Sequence, residues 1–216
     1  MKSITKSALI LMTLMCLLSG CSTAQEPPVG KKTSESLTGK KVLIVYLSRT
    51  GNTKAIAEII QKNVGGSLVS IELEKPYPEN YQAIVDQVEK ENETGFLPTL
   101  KTKIENIEKY DVVFLGFPTW GMKLPPPMKS FLRQYDLSGK TVVPFNTNAG
   151  YGVGSSFQTV KELCPKSTIT EGFEIKGGIE RDGILFVMEG EKKIEAQTKV
   201  NEWLQKIGLL QLARSN

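Results

Sequence analysis

Residues 48–53 read Ser-Arg-Thr-Gly-Asn-Thr, with Ser48, Thr50, Asn52 and Thr53 as four short polar side chains around Gly51. Small hydroxyls donate hydrogen bonds without bulk, and glycine lets a backbone close around a ligand. Before the turn, residues 42–47 form a continuous aliphatic and β-branched run, the pattern of a strand covered on both faces of a parallel sheet. After it, Ile56, Ile59, Ile60 and Val64 recur at helical spacing. A helix that starts here presents unpaired N–H groups and the positive end of its dipole, which is an anion site. The chemistry that fits is the holding of a phosphate. Helix capping by Ser48 or Asn52 is the simpler alternative, but it accounts for one polar side chain and not for four in six positions. The spacing matches neither G-x-x-x-x-G-K-[ST] nor G-x-G-x-x-G, so this is not a nucleoside triphosphate loop or a standard dinucleotide loop.

Two further stretches have unusual composition. Residues 117–123 run Phe-Pro-Thr-Trp-Gly-Met-Lys, with Pro118, Thr119, Trp120, Gly121 and Met122 as candidates. An aromatic beside glycine offers a stacking face that a planar ligand can approach closely; a tryptophan closing the sheet end is the alternative. Residues 146–154 begin Asn146-Thr147 and continue through Gly150, Tyr151 and Gly152, giving backbone freedom and a second aromatic face. A glycine-rich loop without a ligand is the alternative there.

The elements that must position these loops alternate along the chain. Strands are expected at residues 42–47, 68–73, 112–117, 141–145 and 169–175. Helices follow the first strand and are expected again at 81–88, starting near Asn80, and at 128–135, 155–163 and 193–207. Strand alternating with helix predicts an α/β doubly wound sandwich, a five-stranded parallel sheet with helices on both faces. In such a sheet, ligands bind beyond the carboxyl ends of the strands. The loops after the first, third and fourth strands are those described above. Residues 179–189 have additional strand character around Arg181-Asp182-Gly183 and are expected to form a small hairpin or edge strand.

Composition narrows the function. Of 216 residues, 40% are hydrophobic and 23% charged, ordinary values for one globular domain. The chain contains no histidine, which excludes histidine-based triads, metal sites and proton relays. No Lys/Arg run points to nucleic acid. At the N-terminus, Lys2 and Lys6 precede an apolar stretch over residues 8–18, too short to cross a bilayer but the length of a signal-peptide core. It ends in Leu18-Ser19-Gly20-Cys21, which resembles the lipobox of bacterial lipoprotein signal peptides and implies cleavage before Cys21 and its lipidation. The expected organisation is a signal segment at 1–20, lipidated Cys21 with a flexible tether to residue 38, and one domain at 39–212. Loss of Lys2 and Lys6 would leave 25 basic against 23 acidic residues, a balance of +2. Cys164 would then be the only free thiol, expected to be buried or at a helix end.

Ile44, Val45, Tyr46, Ser48, Gly51, Thr53, Ala57 and Ile60 resemble, in order, the signature of the flavodoxin family. The resemblance extends over residues 40–210. It implies that FMN is the cofactor, with its phosphate held by Ser48, Arg49, Thr50, Gly51, Asn52 and Thr53. It also implies that the loop carrying Trp120 packs on the isoalloxazine ring and that the Tyr151 loop covers its other side. Arg49 either helps to neutralise the phosphate or faces solvent.

The leading expectation is an exported electron carrier, anchored to the membrane through lipid alone, that exchanges electrons with a redox partner protein or a small quinone-like acceptor. Such chemistry belongs to the flavin and needs no catalytic acid or base. An FMN-dependent NAD(P)H quinone or flavin reductase is the alternative, with residues 179–189 building its second site, although NAD(P)H is scarce outside the cytoplasm. A flavin-free anchored binding module is the third reading. Near-neutral charge and export set the chain apart from strongly acidic electron-carrier flavodoxins.

Overall fold

The apolar run of residues 42–47 forms β1 (Val42–Tyr46), with all five side chains buried, and the Leu47 N–H continues the ladder to Gly116 O. Successive side chains of a strand point to opposite faces. Val42, Ile44 and Tyr46 therefore join one core with α1 (Asn52–Val64) and α5 (Gly190–Lys206), while Leu43, Val45 and Leu47 join another with α3 (Pro126–Gln134) and α4 (Ser156–Leu163). The sheet is thus buried on both sides, the doubly wound α/β arrangement expected. This computed structural model describes Leu37 and residues 39–210. The expected signal segment 1–20, Cys21, all of the expected tether except Leu37, and residues 211–212 of the expected domain lie outside the described residues.

The strands run β2 (Ser67–Ser70), β1, β3 (Val112–Pro118), β4 (Thr141–Asn148), β5 (Thr168–Ile169), all parallel, and β6 (Phe173–Lys176) also pairs with β4. The sheet therefore has five positions. The expected single strand at 169–175 is instead two segments. Val142 pairs with Ile169 and Phe145 with Phe173, so Val143 and Pro144 of β4 face the three residues 170–172. One residue too many forms a bulge, and Pro144 has no N–H to offer a ladder. The Glu171 carbonyl instead accepts a hydrogen bond from Trp203 Nε1 of α5 at 3.0 Å.

Other boundaries differ for equally local reasons. The second strand ends at Ser70 rather than residue 73, because Leu73 turns to an antiparallel bridge with Leu100. β4 continues past residue 145 to Asn148, so Asn146 and Thr147 sit on the strand end and not in a loop. Helix α2 (Tyr81–Thr94) starts as expected, with the Asn80 side chain accepting from Ala83 N at 3.0 Å, and runs to a left-handed Gly95. It lies alongside α3, where Lys129 Nζ donates to Asn92 Oδ1 at 2.7 Å. Residues 179–189 form the expected hairpin only in minimal form, one antiparallel bridge closed around Arg181-Asp182-Gly183, and no edge strand. A 3₁₀ turn at Glu180–Asp182 and a single bridge between Ile179 and Ile184 lead into an extended segment that ends at buried Met188. No helix among the described residues is long and apolar enough to cross a membrane.

Candidate functional site

The loops after β1, β3 and β4 meet at the carboxyl end of the sheet around a cavity of about 540 Å³. In the first loop, Gly51 takes φ 87°, a left-handed conformation that other residues adopt at a cost, and it begins α1 with no side-chain cap. The N–H groups of the first helical turn thus have no side-chain acceptor. Capping does not explain the hydroxyls around them. Ser48 Oγ is buried without a hydrogen-bond partner. Thr50 Oγ1 accepts from Asn52 Nδ2 at 2.9 Å, which leaves its own proton to donate. Thr53 Oγ1 and Thr147 Oγ1 lie 2.8 Å apart and buried; whichever accepts in that pair keeps an O–H of its own. An uncapped helix start with unspent hydroxyl donors is matched to an acceptor-rich phosphate.

Arg49 lines the same cavity, but its guanidinium is turned to the protein. Nε pairs with Glu180 Oε1 at 2.6 Å, Nη1 donates to Pro78 O at 2.8 Å, and Nη2 donates to Glu79 O at 2.5 Å. It is committed to joining three segments rather than to facing solvent.

The second loop is a tight turn in which Trp120 and Lys123 exchange backbone hydrogen bonds (3.3 and 3.0 Å), with Gly121 at φ 55° and Met122 at φ 58°. The Trp120 ring meets Tyr77 edge to face, centroids 5.3 Å apart. The Tyr77 hydroxyl in turn donates to buried Glu91 of α2, and burial beside that carboxylate raises the phenol pKa above its ordinary range. Asn146 ties this loop to the third: Nδ2 donates to Phe117 O (2.9 Å) and Thr119 Oγ1 (3.0 Å), and Thr119 donates onward to Gly152 O (3.1 Å). Asn148 shapes the third loop through Oδ1, which accepts from Gly150 N and Gly152 N at 2.8 and 3.3 Å. Tyr151 stands 67% exposed at the mouth.

Twelve of the residues expected from sequence line the cavity: Arg49, Thr50, Asn52, Thr53, Pro118, Thr119, Trp120, Gly121, Met122, Thr147, Tyr151 and Gly152. Ser48, Gly51, Asn146 and Gly150 are not lining residues themselves but each adjoins one in the chain. Two parts of the wall lie outside the three loops singled out from sequence. One is a face of α2, from Tyr81 to Glu93, whose apolar stripe carried the only sequence signal. The other is residues 177–181, overlapping the segment expected to build a second site, and the chain continues into residues 184–187, which strap the first loop. Asn52 Nδ2 donates to Leu185 O (2.6 Å) and Oδ1 accepts from Val187 N (3.1 Å). A Cβ on Gly51 would lie 3.1 Å from the Phe186 ring, and one on Gly178 would lie 2.3 Å from the carbonyl oxygens of Ile184 and Leu185.

A doubly wound parallel sheet with an uncapped, hydroxyl-lined helix start after β1 defines an α/β protein with a candidate anion site at its first turn. A family profile described as Flavodoxin matches residues 41–190, and the chain belongs to the flavodoxin family. The crystal structure of a candidate flavoprotein from Bacteroides eggerthii DSM 20697 is similar, at 31% identity and TM-score 0.62, over 79% of this chain and 99% of that one. A flavoprotein in complex with FMN from Lactobacillus acidophilus NCFM has TM-score 0.58 at 23% identity, over 67% of this chain and 98% of that one, a likeness of fold. A flavodoxin from Synechocystis sp. (strain ATCC 27184 / PCC 6803 / Kazusa) is 26% identical over 122 residues, 55% of this chain and 58% of the relative. The chain therefore spans less than two thirds of that curated relative.

Proposed function

We propose that the protein holds FMN in this cavity and passes electrons between the flavin and a redox partner. The observation that carries the proposal is Ser48 Oγ, a buried hydroxyl with no partner at an uncapped helix start. A buried polar atom left unpaired costs roughly 1–3 kcal/mol, so its persistence argues for a ligand that satisfies it. Ser48, Thr50, Thr53 and the first-turn N–H groups of α1 would hold the phosphate. Trp120 and Tyr151 supply aromatic faces for the ring system, and the turn at Trp120–Lys123 supplies backbone near it. When bound, FMN supplies the electron-transfer chemistry. The chain's part is to orient the cofactor, exclude water and set the charge around it.

The lipobox-like tetrapeptide Leu18–Cys21 and the short apolar stretch before it support an exported protein anchored through acyl chains on Cys21. Its partner is then a protein or small acceptor reachable from a membrane surface. The test is to incubate the full chain with FMN, desalt it and record the visible spectrum. A retained flavin band with one FMN per chain is expected; a colourless protein overturns the proposal.

A further inference from the structure

The charge of the domain is divided between the two ends of the sheet. All strands are parallel, so the segments that leave them share one end and the segments that enter them share the other. The leaving segments, residues 47–51, 71–80, 119–125, 149–155 and 177–189, lie at the cavity end and hold four cations against six carboxylates. The entering segments, residues 39–41, 65–66, 103–111, 135–140 and 164–167, hold six lysines against four carboxylates (Lys101 pairs with Glu72 at 3.1 Å and counts toward neither). Lys62, exposed in the last turn of α1, adds a further cation at that end. The cavity end is thus acidic and the opposite end basic.

The basic end has a notch. Lys40, Lys41 and Lys109 line it together with Gly66, Ser67 and Tyr110, around a volume of about 410 Å³. Lys41 and Lys109 are exposed, and the Lys109 ammonium stands over the Tyr110 ring, 5.0 Å from its centroid. The Tyr110 hydroxyl donates to Ser67 Oγ at 3.1 Å, which leaves the Ser67 proton to donate. Asp111 lies beside the notch, where its Oδ2 accepts from the Lys41 N–H at 2.7 Å. Ammonium groups and a hydroxyl donor, open to solvent, suit the phosphate of a lipid headgroup.

The tether joins the domain at this same end. Leu37 packs on the core shared with α1 and α5, and its carbonyl accepts from Lys40 N at 3.0 Å, which fixes the chain beside the notch. Cys21 lies sixteen residues before Leu37. A flexible chain of that length has an r.m.s. span of about 20–24 Å. The eight residues of β4 alone put about 26 Å between the basic end and the cavity. A lipid on Cys21 therefore holds the basic end near the bilayer more readily than the cavity end. Lys31 and Lys32, within the tether, carry the same sign.

We infer that the basic end of the sheet docks on an anionic phospholipid surface, with a headgroup phosphate in the Lys41–Lys109 notch, and turns the cavity mouth to the aqueous side. The docking face rests on the anchoring reading for its nearness to lipid and deepens it: a partner meets the flavin from solution, away from the bilayer.

The experiment reconstitutes the full chain in vesicles of phosphatidylcholine alone, or of phosphatidylcholine and phosphatidylglycerol in equal parts. The acetylation rate of each lysine by a water-soluble ester is then read by mass spectrometry. Lys41, Lys62 and Lys109 should slow about fivefold or more on the mixed vesicles, Lys54 and Lys123 at the cavity end should stay within about twofold, and about 1 M salt should erase the difference. In the double variant Lys41→Glu/Lys109→Glu, Lys62 should lose its slowing while FMN retention stays as in the parent, since both side chains are exposed and remote from the cavity. Equal rates on both vesicles overturn the inference. So does slowing of Lys54 and Lys123 instead, which would bring the exposed strap residues Ile184, Leu185 and Phe186 to the bilayer. Equal slowing by millimolar inorganic phosphate on neutral vesicles would make the notch a free-anion site and overturn it as well. The mass of the Cys21 peptide reads the anchor separately: an unacylated chain whose lysines still slow on the mixed vesicles defeats the anchoring and leaves the docking face standing.

Discussion

Ser48→Ala separates what the first loop does for a ligand from what it does for the fold. In the ligand-free protein Ser48 Oγ is buried and makes no hydrogen bond, so deleting it removes an unsatisfied group. Such a group costs roughly 1–3 kcal/mol. The residue as a whole keeps some exposure, so the low end applies, and the ligand-free variant should gain about 1 kcal/mol, a rise in Tm of about 2–4 °C at this chain length. With FMN the sign reverses. A hydrogen bond to a charged phosphate contributes about 1.5–3 kcal/mol, so the Kd should rise about ten- to hundredfold. Thr53→Val is the control, because its hydroxyl is already bonded to Thr147 in a buried pair. That variant leaves Thr147 unsatisfied and should lower ligand-free stability by about 1–3 kcal/mol as well as weaken FMN. Thermal melts by circular dichroism and quenching of flavin fluorescence measure the two quantities. A ligand-free Ser48→Ala protein that melts several degrees lower, or one that binds FMN like the parent, refutes the reasoning.

Asn52 is 4% exposed and joins the first loop to the strap through Thr50, Leu185 and Val187. Asn52→Leu should cost about 2–4 kcal/mol, and hydrogen exchange should speed up at residues 184–187 while β1 and β3 keep their protection; uniform loss across the sheet would contradict a strap. Burial pushes the Cys164 thiol up to about 11 from 9.0, so the folded state holds its proton more tightly than the unfolded chain does. That stabilisation is complete below about pH 9 and lost as pH rises through 11. Denaturant melts from pH 8 to 11 should show a fall in stability that is shallower in Cys164→Ala than in the parent, and identical slopes would rule the linkage out.

The first strand and loop were legible because few alternatives compete with them. A run of six buried apolar residues, five of them aliphatic, can only be a core strand or a helix segment, and the hydroxyl-rich turn that follows it ends the ambiguity. The far half of β4 was hidden for the opposite reason. Asn146, Thr147 and Asn148 are polar and read as loop, yet they are buried on a strand because each is satisfied by a distant group: Phe117 and Thr119, Thr53, and Glu174. Local pattern carries polarity; it does not carry partners that lie up to 94 residues away.

Residues 184–187 fail as an edge strand on the same principle. Ile184, Leu185 and Phe186 have strand composition and Ile184 pairs once with Ile179, but Asn52 takes the Leu185 carbonyl and the Val187 amide that a longer ladder would need. A side chain in the phosphate loop thus displaces sheet pairing here, and the strap and the cradle form one unit. The α2 stripe shows the remaining gap between pattern and use. Its spacing announces an apolar helical face, and the same face results whether the residues pack on a core or line a cavity. What distinguishes the two is the opposite wall, and that wall is set by Trp120 braced on Tyr77, more than forty residues away in the chain. The reach of the site was therefore written in two segments whose pairing only the fold supplies.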